Sequence, residues 1–290
     1  GLLGTRRCMD IMEVLKETEQ QRQGIPYAHF PSATRVARDE SGAIRAAVQG
    51  GSAYLKIAEG CRRACAYCMI PLIKGDLVSR PINDIVEDAK ILQDQGIQEI
   101  ILIAQDITDY GSDLQIKEGL TSLLEELINA VPAVPWIRLM YTFPGYITEP
   151  LIQLMASEPQ ILPYIDIPLQ HADPEILRAM RRPKDIHAVR QMLANIRTKI
   201  PGIALRTTFI IGYPGEDEPA FQNLIRFVQS VRFDHLGAFS YSFEPGTPAE
   251  PLGDPIPAEI KTSRLEQLMK VQAGISLERN QRFMGESLDV

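Results

Sequence analysis

The sequence predicts an α/β fold in which parallel strands form a partial or full (β/α) barrel. Residues 54 to 242 alternate short β-branched segments with segments of helical period, which is the pattern of consecutive βα units. The 290 residues are close to the roughly 250 of a complete barrel domain. Because hydrophobic residues make up 45% and charged residues 23%, we expect a sizeable core and neither disorder nor a coiled coil.

The individual elements are predicted from periodicity and from the positions of glycine and proline. Apolar residues at helical spacing between Ile82 and Leu92, followed by Gly96, predict the clearest helix. A proline-rich segment over 245–257 ends the repeating units before a last helix. A helix is expected over 10–20, then loop with room for one hairpin up to residue 53. Six strands are predicted over 54–58, 99–105, 136–141, 164–169, 204–211 and 236–241, and further helices over roughly 119–131, 149–157, 185–199 and 217–230.

The charge balance and the cysteines narrow the class of protein. The 30 Lys and Arg against 37 Asp and Glu give a formal net charge of -7, the wrong sign for a surface that binds nucleic-acid phosphates throughout. Three of the four cysteines lie within eight residues, which is no disulfide framework and indicates a metal site in a reducing compartment. No apolar run approaches the ~18 residues of a membrane span and no signal-peptide pattern occurs, so a cytoplasmic protein is expected.

The strongest motif is Cys61-Arg-Arg-Ala-Cys65-Ala-Tyr-Cys68, directly after the first predicted strand. Three thiolates from one loop can converge on a metal centre, and thiolate is the ligand that iron–sulfur clusters and zinc prefer. A cubane cluster held by three cysteines keeps one iron open for an external ligand. The alternative is a structural zinc site, which needs a fourth ligand such as Cys8 or a histidine. Cys8 itself is expected to be a small buried apolar residue.

This cysteine spacing, with an aromatic residue just before the last cysteine, resembles the radical S-adenosylmethionine (SAM) superfamily. The resemblance implies a barrel of about six parallel strands and a 4Fe–4S cluster bound by Cys61, Cys65 and Cys68. It also implies SAM as a cofactor, chelated by the open iron and cleaved to a 5′-deoxyadenosyl radical. The protein then positions, tunes and shields these groups.

Further motifs are similar to those of the methylthiotransferases within that superfamily. The loop 105–111 and the pair Gln170-His171 resemble the RimO branch, which adds a methylthio group to the β-carbon of an aspartate in small-subunit ribosomal protein twelve. In that branch one SAM supplies the methyl group and another the radical that abstracts hydrogen. The same chemistry on a transfer-RNA adenosine is the alternative, and a non-catalytic zinc-stabilised scaffold is the second. The matching motifs occupy residues 56–61, 68–71, 104–111, 168–171, 180–182, 209–216 and 241–247.

The resemblance assigns the surroundings of the SAM adenine but no catalytic residue. The backbone beside Tyr67 and the turn at Ile211 and Gly212 are expected to border the adenine. Barrel enzymes gather their sites at the carboxyl ends of the strands, where this turn is predicted. The alternative for the turn is a purely structural reversal after a strand.

Three polar residues are expected to face the methionine and ribose of SAM: Gln105, Gln170 and Arg206, all taken to lie near strand carboxyl ends. An internal salt bridge is the alternative for Arg206, and a hydrogen-bonded residue at the barrel mouth is the alternative for Gln105. A structural histidine is as well supported as a functional one for His171. The pair 181–182 is interpreted as a solvated helix end rather than a substrate contact.

The resemblance also implies a domain division and partners. Residues 1–53 are expected to be the tail of an N-terminal domain with a linker, 54–257 the barrel, 258–284 its C-terminal helix, and 285–290 the start of a truncated TRAM domain. A second 4Fe–4S cluster is expected in the missing N-terminal domain. The expected partners are the ribosomal protein or the ribosome and a flavodoxin-like electron donor, without a membrane. Transfer RNA is less favoured because negative charge suits a basic protein partner better.

Overall fold

The computed structural model describes residues 2–3, 10–20, 27–29 and 46–287, and Cys8 lies outside these ranges. The chain forms two compact units. One contains the described residues of Gly1–Arg63 and Ile70–Pro135, the other those of Ala64–Met69 and Trp136–Val290. The domain division expected from the sequence stays a prediction. In the described part of the chain, no helix combines the length and the apolar composition needed to cross a membrane.

The first unit is built on two parallel strands and their connecting helix. Its elements are β1 (Leu2–Leu3), α1 (Ile11–Gln20), β2 (Ala28–His29), β3 (Ala46–Gln49), β4 (Ser52–Lys56), β5 (Ala58–Glu59), α2 (Ile70–Lys74), β6 (Val78–Ser79), α3 (Ile82–Asp94), β7 (Glu99–Ile103), a 3-10 turn (Ile107–Asp109) and α4 (Gly119–Ala130). β4 and β7 are parallel, and β3 forms an antiparallel hairpin with β4. Short ladders join β1 to β2 in parallel and β5 to β6 in antiparallel.

The core of the first unit lies where α3 packs on β4 and on α4. Leu55 of β4 and Leu102 of β7 are opposite each other and fully buried. α3 buries Ile85, Ala89 and Leu92, whose spacing puts them on one helix face. Burial of each leucine or isoleucine stabilises the fold by about 1.5–3 kcal/mol. This packing fixes the carboxyl end of β4, from which the chain runs into the cysteine loop.

The second unit is a four-stranded parallel sheet with its connecting helices. The elements are β8 (Trp136–Leu139), α5 (Glu149–Ser157), β9 (Ile161–Asp166), α6 (Pro174–Ala179), α7 (Ile186–Lys199), β10 (Ala204–Ile211), α8 (Glu218–Val231), β11 (His235–Ser240), a 3-10 turn (Glu250–Leu252), α9 (Ala258–Asn280) and a last 3-10 turn (Gln281–Phe283). The strands lie in the order β8-β9-β10-β11. β10 alternates buried and partly exposed residues along its length.

Side-chain caps explain where several helices of the second unit begin. Asp173, Asp185 and Asp217 each accept a backbone N–H from the first turn of α6, α7 and α8. Such a cap contributes about 1 kcal/mol. The core beneath these helices includes Phe209 and Phe233, whose rings meet edge to face at 6.1 Å. The caps and this core together fix the positions of the residues that follow β9 and β10.

The six predicted strands correspond to β4, β7, β8, β9, β10 and β11, with ends that differ by up to three residues. The predicted helices are likewise present. β3 pairs with β4, the first predicted strand, which continues past residue 53 to Lys56. The prediction omitted α2 and α6, which have five and six residues and are too short to show a helical period. It also omitted the two-residue strands β5 and β6.

Candidate functional site

The first residue of the cysteine motif is held by the first unit. Cys61 follows β5, and its backbone N–H donates to the Gly75 carbonyl at 3.0 Å. Gly60 has a φ of 78°, and a Cβ at this position would lie 2.1 Å from the Asp76 carbonyl oxygen. Only glycine allows two stretches of backbone to approach this closely. The start of the motif is therefore fixed against the segment that leads into β6.

Cys65 and Cys68 belong to the second unit. The backbone N–H of Ala66 donates to the Met180 carbonyl at 2.9 Å, and the Ala66 carbonyl accepts from Ala249 at 2.8 Å. The N–H of Cys68 donates to the Cys65 carbonyl at 3.1 Å, which closes a turn between the two cysteines. Cys65 is buried, Cys68 is half-buried, and both side chains are thiols, as is that of Cys61. Hydrogen bonds from Ala66 to Met180 and from Ala249 to Ala66 thus hold this part of the motif in place.

Tyr67 packs on an apolar cluster that includes Met180, Tyr213 and Tyr241. Burial raises the pKa of its phenol far above the ordinary value, and the positive charge of Arg182 opposes that rise only in part. The ring therefore stays a neutral phenol at physiological pH. Its position brings the backbone around Tyr67 together with Tyr213, the residue that follows the predicted Ile211-Gly212 turn.

Arg182 corrects one of the sequence interpretations. Instead of ending a helix in solvent, its side chain is buried, with 8% exposed. The guanidinium carbon lies 4.0 Å from the centre of the Phe143 ring, and Nη1 lies 3.6 Å from Cys65 Sγ. Nη2 donates to the Pro168 carbonyl. The interpretation was wrong because Arg181 adopts a left-handed φ of 55°, which turns the chain back after α6.

The turn after β10 is held by hydrogen bonds and by close packing against a side chain of α9. The Ile211 carbonyl accepts from Tyr241 N–H at 2.7 Å, and the Gly212 N–H donates to Glu216 Oε2 at 2.9 Å. Gly212 has a φ of 75°, and a Cβ there would lie 2.4 Å from Lys261 Cγ. The turn is therefore fixed by its own carboxylate and by the buried stem of a lysine from α9.

His171 is part of a buried structural network. Its Nε2 lies 3.1 Å from Glu216 Oε2, and its Nδ1 accepts from the Asp173 N–H at 2.9 Å. Arg264 of α9 donates to Glu216 Oε1 at 2.9 Å. Both ring nitrogens of His171 are engaged, so this histidine is not available as the fourth ligand of a zinc site. Sequence analysis placed Glu216 in a motif but missed its link to Arg264, which lies 48 residues further along the chain.

Gln170 lies at the carboxyl end of β9, as predicted. Its backbone N–H donates to the Thr208 carbonyl at 2.9 Å, and its carbonyl accepts from Ile210 at 2.8 Å. The two bonds extend the β9–β10 pairing beyond the regular strand. A φ of 74° at Gln170 then turns the chain toward His171.

Arg206 lies beside the carboxyl end of the neighbouring strand β9, but not at that of its own strand. It is the third residue of β10, far from the strand's carboxyl end. Its Nη1 lies 3.0 Å from Oδ1 of Asp166, which is fully buried, so the internal salt bridge is present. Burial raises the pKa of the Asp166 carboxyl, and the Arg206 charge opposes this. Register explains the pairing, because Arg206 and Asp166 are direct neighbours on adjacent parallel strands. The SAM contact of Arg206 stays a prediction.

Gln105 lies in the first unit, directly after β7. Its Oε1 is buried and has no hydrogen-bond partner within the described part of the chain. Its neighbour Asp106 accepts from the Thr108 N–H at 2.9 Å and pairs with Arg63 at 2.7 Å. An unsatisfied buried amide oxygen costs about 1–3 kcal/mol unless a ligand or water occupies it. Gln105 therefore has the property expected of a residue that meets a bound molecule.

The second unit brings together Cys65, Tyr67, Cys68, Gln170, Ile211 and Gly212, while Cys61 and Gln105 belong to the first unit. The donor set fits an iron–sulfur cluster, because its three side chains are soft sulfur ligands and Cys65 Sγ accepts from the buried Arg182. The orphaned amide oxygen of Gln105 fits a polar cofactor.

The comparison with protein families defines the class. The model of the Radical SAM superfamily matches residues 55–228, more than half of the chain. The chain belongs to the radical SAM superfamily. The structure of coproporphyrinogen III oxidase (HemN) from Escherichia coli, described as a radical SAM enzyme, has a TM-score of 0.58 with 15% identity over 77% of this chain and 52% of that chain. This likeness confirms the predicted fold class of a partial (β/α) barrel.

Two curated relatives that span nearly all of this chain share one name. "Ribosomal protein uS12 methylthiotransferase RimO" of Roseiflexus sp. (strain RS-1) is 44% identical over 100% of this chain and 65% of its own length. The protein of the same name from Chloroflexus aurantiacus is 44% identical over 99% of this chain and 66% of its own length. The chain thus spans about two thirds of the length of these relatives. The resemblance to the RimO branch of the methylthiotransferases is confirmed.

Proposed function

We propose that this protein transfers a methylthio group to the β-carbon of an aspartate in small-subunit ribosomal protein twelve. The observation that carries the proposal is 44% identity, over the whole chain, to a relative named as the methylthiotransferase of that ribosomal protein. The matched region covers the cysteine motif and the β10 turn. The net charge of -7 supports a basic ribosomal protein as partner. We propose the cytoplasm as the location because ribosomes are there.

We further propose that Cys61, Cys65 and Cys68 bind a 4Fe–4S cluster with SAM beside it. When bound, these groups supply a 5′-deoxyadenosyl radical that abstracts hydrogen from the substrate. The second cluster and the flavodoxin-like electron donor implied by the resemblance remain predictions. The support for the cluster is the thiol donor set within eight residues and the cation beside Cys65.

The residues of the chain hold and orient SAM. We propose that the backbone beside Tyr67 and the turn at Ile211 and Gly212, which Glu216 fixes by accepting the Gly212 N–H, form a wall for the adenine. Gln105 and Gln170 offer amide groups to the methionine and ribose. Arg206 forms a salt bridge with Asp166 that joins β9 to β10. We also propose that Arg206 contacts SAM, which measurements of SAM binding to an Arg206 variant would test.

The experiment uses the protein as the cell makes it. The codon for Cys65 is changed to alanine in the source organism, and the ribosomal protein and transfer RNA are then analysed by mass spectrometry. We expect the aspartate to lose its methylthio group while methylthioadenosine is unchanged. The matched control is Arg178→Gln, an exposed residue whose side chain is 55% accessible. Loss of the RNA modification with an unchanged ribosomal protein would replace this function by the transfer-RNA activity.

A further inference from the structure

Arg182 has the environment of a residue that interacts with an anion. Its side chain is 8% exposed, and its described contacts are the Phe143 ring, the Pro168 carbonyl and the Cys65 sulfur. No carboxylate of the described residues forms an ion pair with it, and its Nε has no hydrogen-bond partner there. Burial of a cation without a counter-charge costs several kcal/mol. Among these contacts, the Cys65 sulfur is the one group that becomes anionic when it binds a metal.

The backbone fixes Arg182 and Cys65 in a common frame. α6 ends with a reversal in which the Arg182 N–H donates to the Leu177 carbonyl at 2.8 Å across the left-handed Arg181. The carbonyl of Met180, two residues earlier, accepts the N–H of Ala66. The residue next to Cys65 and the residue two before Arg182 are therefore joined by one hydrogen bond. This bond holds the two stretches of backbone together, and the Phe143 ring contacts the Arg182 guanidinium.

We propose that Arg182 is a positioning residue for the Cys65 thiolate, orienting its sulfur for the cluster and favouring the cluster's reduced form. The inference rests on the proposed function, because it assumes that Cys65 binds the cluster. An N–H···S bond and a nearby positive charge both withdraw electron density from the sulfur, which makes it easier to add an electron to the iron. Phe143 holds the planar guanidinium so that Nη1 faces the sulfur.

The experiment compares three variants of the full chain, each reconstituted anaerobically with iron and sulfide. Arg182→Met removes charge and donors, and Arg182→Lys keeps the charge without the planar fork. Arg178→Met is the control, since it removes an exposed arginine of α6, the helix that precedes Arg182. The reduced fraction of the cluster is measured by electron paramagnetic resonance at a series of fixed potentials. A chelator challenge measures the rate of iron loss.

We expect the ratio of reduced to oxidised cluster at a given potential to fall about tenfold in R182M, equivalent to about 59 mV for one electron. Iron loss to the chelator should be about tenfold faster. The R182K protein should lie between R182M and wild type, and R178M should match wild type. A purely structural arginine would change thermal stability but leave the potential unmoved.

The two proposals fail in different ways. A wild-type protein that binds no cluster overturns the proposed function and this inference with it. A wild-type protein that binds the cluster, with R182M or R182K at the wild-type potential, overturns only the role of Arg182. Because R182K retains the charge and most of the volume, it decides the question even if R182M does not fold.

Discussion

The close backbone approach at Gly60 predicts an unusually large effect of a single methyl group. Gly60 and Gly96 both have a φ of 78° and both belong to the first unit, so alanine meets the same left-handed strain at each. A Cβ at Gly96 would have nothing within 4 Å, whereas at Gly60 it would lie 2.1 Å from the Asp76 carbonyl oxygen. The pair therefore separates backbone strain from collision.

The expected magnitudes follow from these distances. Gly96→Ala should lower the free energy of unfolding by about 1–2 kcal/mol, the strain of one left-handed residue. Gly60→Ala adds overpacking of about 1–3 kcal/mol. It also breaks the Cys61 N–H bond to Gly75, which is worth about 1 kcal/mol. Gly60→Ala should therefore lower the free energy of unfolding by about 3–6 kcal/mol in total. It should also displace Cys61 from its position in the cysteine motif.

Urea unfolding followed by circular dichroism measures the first effect, and iron content after anaerobic reconstitution measures the second. We expect Gly96→Ala to bind iron like wild type and Gly60→Ala to lose most of it. Equal destabilisation of the two variants would refute the predicted collision. It would mean that the backbone of residues 75–76 moves aside without loss of stability. Normal iron content in Gly60→Ala would refute the link to Cys61.

Three further predictions concern stability. Arg181→Gly should raise the free energy of unfolding by about 1 kcal/mol in urea titrations, because glycine adopts the left-handed φ of 55° without strain. Burial alone would raise the pKa of Glu59, but two lysine ammoniums at 2.6 and 2.7 Å hold it below 4.5. Glu59→Gln should therefore destabilise at pH 7, and the difference from wild type should shrink as the pH falls from about 4.5 through the lowered pKa. Arg206→Met should destabilise by about 3 kcal/mol by stranding Asp166, and Asp166→Asn in the same chain should recover most of it; an unchanged melting curve for the single variant would contradict this.

The sequence by itself determined the order of the elements. The β-branched segments and helical periods predicted β4 and β7 to β11 with the helices between them, since burial of one face imposes those periods wherever the segment is long enough. It also predicted the ligand chemistry, because three thiols in eight residues fit few metal centres. Short elements such as α2 and α6 escaped because five or six residues do not complete two helical turns.

Tertiary structure alone decided what the arginines do. For Arg206 the sequence left a cofactor contact and an internal salt bridge open, and strand register pairs it with the buried Asp166. Arg182 was interpreted as solvated, yet the left-handed turn at Arg181 aims it at Cys65, a residue 117 positions away in sequence. The partner of a charged side chain depends on which distant segments pack around it. Local periodicity carries no record of that packing, so only the folded chain assigns each buried charge its counter-charge.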